Sequence, residues 1–218
     1  MFVADYMAKE VVTVWEGERV ATAQRLLQSH GVHQLPAVDE AGRLVGIVTD
    51  RDVRSALGYC DALGDNLLES YDATLRDNLV VSEIMTTEPK TIALKSTLDE
   101  ALGLLCHSSF NALPVMDGHR LCGIITKNDL LRAFHHVLGL DKEGTRVEIA
   151  LPGLWRDLRD ASTALAQYDG QVHSMVVASM RRDGDEPVLY LRASGSSGRQ
   201  LEDVLRRSGL VVLVPEHK

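Results

Sequence analysis

Gly46-Ile-Val-Thr49-Asp-Arg-Asp52 returns 77 positions later as Gly123-Ile-Ile-Thr126-Lys-Asn-Asp129. Working outward from these two stretches, an offset of 78 carries Leu35-Pro36 onto Leu113-Pro114, Leu27 onto Leu105 and Val20 onto Leu98. The same offset carries Val3-Ala-Asp-Tyr-Met7 onto Val81-Ser-Glu-Ile-Met85. The lost residue falls in the turn between Leu35-Pro-Ala-Val38 and Leu44-Val-Gly-Ile-Val48, where loops absorb such changes. A repeat covering residues 1–139 is one supersecondary unit written twice. Two such units can bury their open faces against each other, and equivalent clefts are then expected between them.

Each copy reads as extended segment, helix, strand, turn, strand, helix. Leu98, Ala101, Leu102 and Leu105 follow the i, i+3, i+4, i+7 spacing of a helix with one apolar stripe, and Val20, Ala23 and Leu27 match it in the first copy. Two short apolar runs flank Asp39-Glu-Ala-Gly42 in one copy and Asp117-Gly118 in the other, which is the pattern of a hairpin. Both copies then enter a helix at Asp52 or Asp129. The stretch 58–80 has no counterpart in the second copy and reads as a partly helical connector, giving bounds of 1–59, 60–80 and 81–139 for copy, connector and copy.

From about Thr145 the pattern changes. Arg146–Ala150 alternates like a strand, Leu154–Tyr168 has helical spacing, and Val172–Met180 and Pro187–Ala193 read as strands about an Arg181–Glu186 turn. A helix at Gln200–Arg207 ends near Gly209, and Leu210–Val214 closes as a strand. That order, βαββαβ over 145–218, is the ferredoxin-like arrangement. The fold class expected is therefore mixed α/β and α+β: two repeats packed as a pseudo-twofold pair, then a ferredoxin-like domain.

Composition bounds the function. The 218 residues are 45% hydrophobic with 5% aromatic, so a core of Val, Leu, Ile and Ala is available without staples. A net charge of −8 repels a phosphate backbone at long range, which excludes nucleic acid as the expected partner. Cys60, Cys106 and Cys122 show no metal or disulfide spacing and read as reduced, mostly buried thiols. No apolar run approaches the ~18 residues of a membrane span, and no leader pattern opens the chain, so the expected location is the cytoplasm without membrane contact.

The repeated Gly-h-h-Thr-x-x-Asp stands where a strand hands over to a helix. Unpaired N–H groups at a helix start favour an anion such as phosphate, and Thr49 or Thr126 can donate a hydroxyl to it. An ionised Asp52 or Asp129 offers two acceptor oxygens to the hydroxyls of a ribose. The same Thr-x-x-Asp is equally a capping box in which both side chains satisfy backbone donors of their own helix. Residue chemistry leaves both readings open.

The paired blocks resemble tandem CBS domains, the pair called a Bateman module: Met7 and Met85 open them, Leu-Pro stands at 35–36 and 113–114, and Thr-x-x-Asp closes them. The resemblance implies adenine nucleotides (AMP, ADP or ATP), and in some members S-adenosylmethionine, bound between repeats for regulation. Carried over by position, it implies one cleft from Val12 and His33 with Thr126, Asn128 and Asp129, and another from Lys90 and Asn111 with Thr49, Arg51 and Asp52. Arg51 and Lys90 make the second cleft the stronger phosphate holder. The last segment, with Leu151-Pro-Gly153 after its first strand, resembles an ACT domain, and the whole order resembles the AcuB-like acetoin-utilisation family. The resemblances to a CBS pair and to an ACT domain both imply a homodimer, and regulation implies an enzyme as a possible partner.

No GxGxxG, GxxxxGK[S/T], HExxH or GxSxG is present, so no catalytic residue is assigned and the chain is read as a regulator. The alternatives are a dimerisation scaffold in which Thr49, Asp52, Thr126 and Asp129 only cap helices, and a small enzyme with an unrecognised site. His30/His33 and His135/His136 lack a shared metal geometry, and no metal is expected. Ser194-Gly-Ser-Ser-Gly198 reads as a loop before a helix, and Trp15 and Trp155 as packing or interface residues.

Overall fold

The computed structural model describes residues 1–62, 78–179, 186–195 and 198–213. Most of the connector, the 181–185 part of the expected turn and Ser196-Ser197 lie outside the described residues. The chain divides into two compact units, Met1–Leu130 and Leu131–Lys218.

In the first unit the duplicated pattern becomes duplicated structure. The first copy runs α1 (Val3–Tyr6), β1 (Val14–Trp15), α2 (Val20–His30), β2 (Gln34–Val38), β3 (Leu44–Thr49) and α3 (Asp50–Ala62). The second runs through a 3-10 turn at Val81–Glu83, β4 (Thr86–Thr87), β5 (Ile92–Ala93), α4 (Leu98–Cys106), β6 (Ala112–Asp117), β7 (Arg120–Thr126) and α5 (Lys127–Val137), the helix in which the division falls. Each helical stripe is buried as its spacing requires: Val20, Ala23 and Leu27 on α2, Leu98, Ala101 and Leu105 on α4. Gly31, at φ 62, ends α2 in the left-handed conformation that glycine adopts without steric cost. Thr97 and Glu100 start α4 with a reciprocal capping box.

The strands show an exchange between copies. Within each copy a parallel pair is followed by an antiparallel one: β1 with β2, then β2 with β3; β5 with β6, then β6 with β7. The next ladder crosses over. Thr86 and Thr87 of the second copy pair with Ile47 and Gly46 of the first, and Ala8 of the first copy bridges Ile124 of the second. Likewise Val81 N–H donates to Glu18 O at 2.9 Å and Val3 N–H to Ser96 O at 2.9 Å. Val81 is fully buried with Val14, Leu35 and Val48 of the first copy. Met85 lies against Gly46 and Met7 against Gly123, so closely that a Cβ at either glycine would collide with the sulfur. The repeated Met and the repeated Gly are therefore two halves of one contact, made twice.

The second unit runs β8 (Thr145–Ala150), α6 (Leu154–Leu165), β9 (Gly170–Ala178), β10 (Val188–Gly195), α7 (Gly198–Arg207) and β11 (Val211–Leu213). Its sheet has the order β11-β8-β10-β9, with every neighbouring pair antiparallel. Val147, Ile149, Leu189, Leu191 and Val212 meet Ala161, Ala164, Leu201 and Leu205 of the helices in one core. Asp157 is buried, and its carboxylate is satisfied by Gly153 N–H at 2.7 Å and Arg156 Nε at 3.1 Å, which closes the first turn of α6.

One sequence expectation changes. Cys106 is exposed and Cys122 only partly buried, because the first stands at the end of α4 away from its Leu98, Ala101, Leu105 stripe. Burial, with Asp117 nearby, pushes the Cys122 thiol above its ordinary value. Trp15 lies over Gly17 and is 45% exposed, and Trp155 is 80% exposed on the first turn of α6, so neither is a core residue. Among the described residues no helix is long and apolar enough to cross a membrane.

Candidate functional site

Both Thr-x-x-Asp segments form the same local structure. Asp52 Oδ2 accepts from Thr49 N–H at 2.8 Å and from Thr49 Oγ1 at 2.7 Å, while Asp52 N–H donates to Thr49 Oγ1 at 3.3 Å. Asp129 and Thr126 repeat this at 2.8, 2.7 and 3.2 Å. A strand ending on Thr and a helix starting one residue later place the two side chains face to face. The capping box and the ribose reading meet in this geometry, since the box occupies one carboxylate oxygen and a carboxylate has two. Oδ1 of Asp52 takes no bond from the described residues.

The surroundings differ. Asp52 is partly buried; Asp129 is 6% exposed. Arg51 is exposed and makes no hydrogen bond or ion pair among the described residues, whereas its counterpart Asn128 is neutral. Asp50 and its counterpart Lys127 diverge as well. Asp50 pairs with Arg54 at 3.2 Å and lies 3.6 Å from His33 Nδ1, while Lys127 Nζ donates to Ser108 O at 3.3 Å. The second copy thus spends its cation on the turn after α4, while Arg51 of the first makes no such bond among the described residues.

His33 carbonyl accepts Asp50 N–H at 3.0 Å and Asn111 carbonyl accepts Lys127 N–H at 3.0 Å, so each joins the start of the closing helix in its own copy. Val12 packs on the core of the first copy. Lys90 is exposed; the β3–β4 ladder runs from Ile47 back to Val45, away from Thr49, before the chain reaches it. An open groove of about 380 Å³ between α2 and α3 holds His33, Asp50 and Arg54 over Leu27, Val32 and Val53. Thr49 and Asp52 are not part of it. The exchange of opening segments was missed by the sequence reading, although the co-repetition of Met with Gly carried its signal. Among the described residues no cluster of His, Cys, Asp and Glu could hold a metal ion.

The sequence matches the CBS domain family over residues 3–59 and 81–136. It is 35% identical over 141 residues to a CBS domain-containing protein of Dictyostelium discoideum, covering 63% of this chain and 94% of that one. It is 33% identical over 131 residues to an uncharacterized protein of Methanocaldococcus jannaschii, 60% of this chain and 46% of that one. It is 31% identical over 154 residues to an inosine-5′-monophosphate dehydrogenase of Mycobacterium leprae, 69% of this chain and 26% of the enzyme. The chain therefore spans less than half the length of the last two relatives. Among solved structures it resembles CBSX2 of Arabidopsis thaliana in complex with AMP (29% identity, TM-score 0.51, 65% of this chain and 98% of that one). It also resembles the CBS domain pair of protein MJ0100 in complex with 5′-methylthioadenosine and S-adenosyl-L-methionine (28%, 0.51, 65% and 98%). A third is a putative acetoin utilization protein, AcuB, from Vibrio cholerae (26%, 0.53, 66% and 98%).

Proposed function

This chain belongs to the CBS domain family, and from that premise we propose that it is a regulatory protein whose repeat pair binds an adenine nucleotide. AMP, ADP or ATP is the preferred ligand and S-adenosylmethionine the second choice, because two similar CBS pairs were solved with AMP and with S-adenosyl-L-methionine. The observation that carries the reading is the Thr49–Asp52 box: one oxygen caps the helix, Oδ1 takes no bond from the described residues, and Arg51, exposed and without a hydrogen bond or ion pair among those residues, precedes Asp52 in the chain. A ribose hydroxyl and a phosphate are the groups that such a pair complements.

We assign Thr49, Arg51, Asp52, Lys90 and Asn111 to one cleft and Val12, His33, Thr126, Asn128 and Asp129 to the other, with phosphate held more tightly in the first. Ligand then favours one arrangement of the repeats by no more than its differential affinity for that arrangement. The 145–218 segment is the ACT-like partner of this module and serves a cytoplasmic homodimer that regulates an enzyme.

Isothermal titration with AMP, ADP and ATP tests the site. Arg51→Ala leaves the box intact and is expected to weaken binding on the order of 10-fold, since a hydrogen bond to a charged group contributes about 1.5–3 kcal/mol. Asn128→Ala is expected to change affinity by less than about threefold, the scale of an exposed neutral contact. Equal losses defeat the asymmetry. If none of the three nucleotides nor S-adenosylmethionine raises the melting temperature at high concentration, the scaffold reading replaces this one, because a ligand at ~100 times its dissociation constant adds about 2.7 kcal/mol to the folded state.

A further inference from the structure

The two Thr-x-x-Asp boxes open helices that end in different places. α3 lies within the first unit, whereas α5 begins at the Thr126–Asp129 box in that unit and from Leu131 onward belongs to the second. The helix that closes the second repeat is thus shared by both units.

Its far end is fixed. Gly139, at φ 63, takes the left-handed conformation, with Gly139 N–H donating to His136 O and Leu140 N–H to His135 O, both at 2.9 Å, the paired bonds that finish a helix. Lys142 N–H donates to Gly139 O at 3.1 Å, so the chain turns tightly before β8. The sheet then holds this strap by its carbonyls. Ser174 Oγ on β9 donates to Leu138 O at 2.8 Å, and Arg192 on β10 donates from Nε and Nη2 to Lys142 O at 3.2 and 2.7 Å. A bulge in β9 adds a steric hold: the register passes from Arg192 with Ser174 to Ala193 with Val172, leaving His173 extra, and a Cβ at Gly139 would come within 2.9 Å of the His173 Cβ. His173 Nε2 in turn lies 2.9 Å from Ser194 Oγ on β10. Boundaries between compact units ordinarily fall in exposed linkers that few contacts cross. Here the boundary falls inside a helix, and the residues that follow it are tied to two strands. A change at the first turn of α5 meets no loose segment before it reaches β9 and β10.

We propose that the cleft of Thr126 and Asp129 is the reporting site of the pair, and that α5 with the strap 138–144 carries its state to the sheet of the second unit. The cleft of Thr49 and Asp52 holds phosphate more tightly, but α3 ends within the first unit and offers no such route. The ligand in this inference rests on the nucleotide reading above; the route is a property of the chain and is open to test without one.

Hydrogen exchange in the full chain makes that test. Asp129→Asn removes the charge from the box and keeps its shape. It is expected to speed exchange of the Gly139, Leu140 and Lys142 amides and of the β9–β10 ladder at least about fivefold, the lower end of ordinary couplings between sites. Thr126→Val, a milder break of the same box, is expected to give the same pattern at smaller amplitude, and serves if circular dichroism shows Asp129→Asn unfolded. Asp52→Asn is expected to leave those amides unchanged. Ser174→Ala with Arg192→Met cuts the clamp, and in that background Asp129→Asn is expected to affect α5 alone. Exchange that rises only between residues 126 and 137, or rises equally with Asp52→Asn, overturns the proposal. So does a rise in the sheet that survives the cut clamp, which is the mark of a general loss of stability. AMP added to the parent separates the two readings. AMP that binds yet slows no amide beyond residue 137 overturns the reporting site and leaves the nucleotide reading standing, whereas AMP that fails to bind removes the nucleotide reading and leaves the route to the exchange result.

Discussion

Asp52 and Asp129 make the same three bonds, yet their removal is expected to cost different amounts. Asp52 and Asp129 stand at the third position of their helices and complete a capping box whose N-cap is the threonine, an interaction on the scale of the about 0.5–2 kcal/mol of a helix cap. Asp52 is partly buried, so water can reach the Thr49 amide and hydroxyl that Asp52→Ala leaves behind, which puts that variant near the low end. Asp129 is 6% exposed, and Asp129→Ala strands the Thr126 donors where water is scarce, so about 2 kcal/mol is expected from urea midpoints. Equal midpoints would mean that burial does not separate the two boxes. Asp39 offers a different residue-scale reading. The Arg43 backbone N–H at 2.8 Å, and then the Arg43 guanidinium at 2.7 Å, hold its carboxyl below the usual 3.8. A depressed folded-state pKa gives stability that is present above 3.8 and lost as pH falls through the folded value. Between pH 4 and pH 2 the loss of stability is therefore expected to be shallower in Asp39→Asn than in the parent, measured by denaturant titration at each pH.

The exchange of opening segments makes an element-scale prediction from Gly46 and Met85. Gly46→Ala puts a methyl into Met85 Sδ and within 3.1 Å of Thr86 O, overpacking that costs about 1–3 kcal/mol. Met85→Ala removes the collision, so the double variant is expected to be more stable than the sum of the two single losses, a coupling that a double-mutant cycle in urea reads directly. Strict additivity would deny the contact. The case also shows what the sequence carried and what it hid. Buried stripes were legible, because Val20, Ala23 and Leu27 announce a 3.6-residue period, and so were the hairpins and the strand-to-helix handover at Thr49 and Thr126. Partnership was hidden: β4 has two residues, too few for a period, and nothing local in Thr86-Thr87 says whether it joins β3 or β7. The Thr-x-x-Asp boxes were legible as residues, but the diverging use of Arg51 and Lys127 depends on Ser108, reached only through the fold.

At the scale of the whole molecule, a sensor needs its ligand and its assembly to share free energy. Thermodynamic linkage requires that coupling to be reciprocal: if AMP changes the dimer dissociation constant by some factor, dimerisation changes AMP affinity by the same factor overall. Coupling free energies between sites commonly run to about 1–3 kcal/mol, or roughly 5–150-fold in affinity. AMP titrated at protein concentrations far below and far above the dimer dissociation constant is therefore expected to bind with dissociation constants at least about fivefold apart. Sedimentation of the full chain with and without AMP must then return a matching ratio. Equal affinities at the two concentrations would mean that the repeat pair binds without reporting to the assembly. The regulatory output would then have to act through the repeats themselves, where the helix begun at Thr126-Asp129 and the segment exchanged at Met7 are the elements a ligand could move.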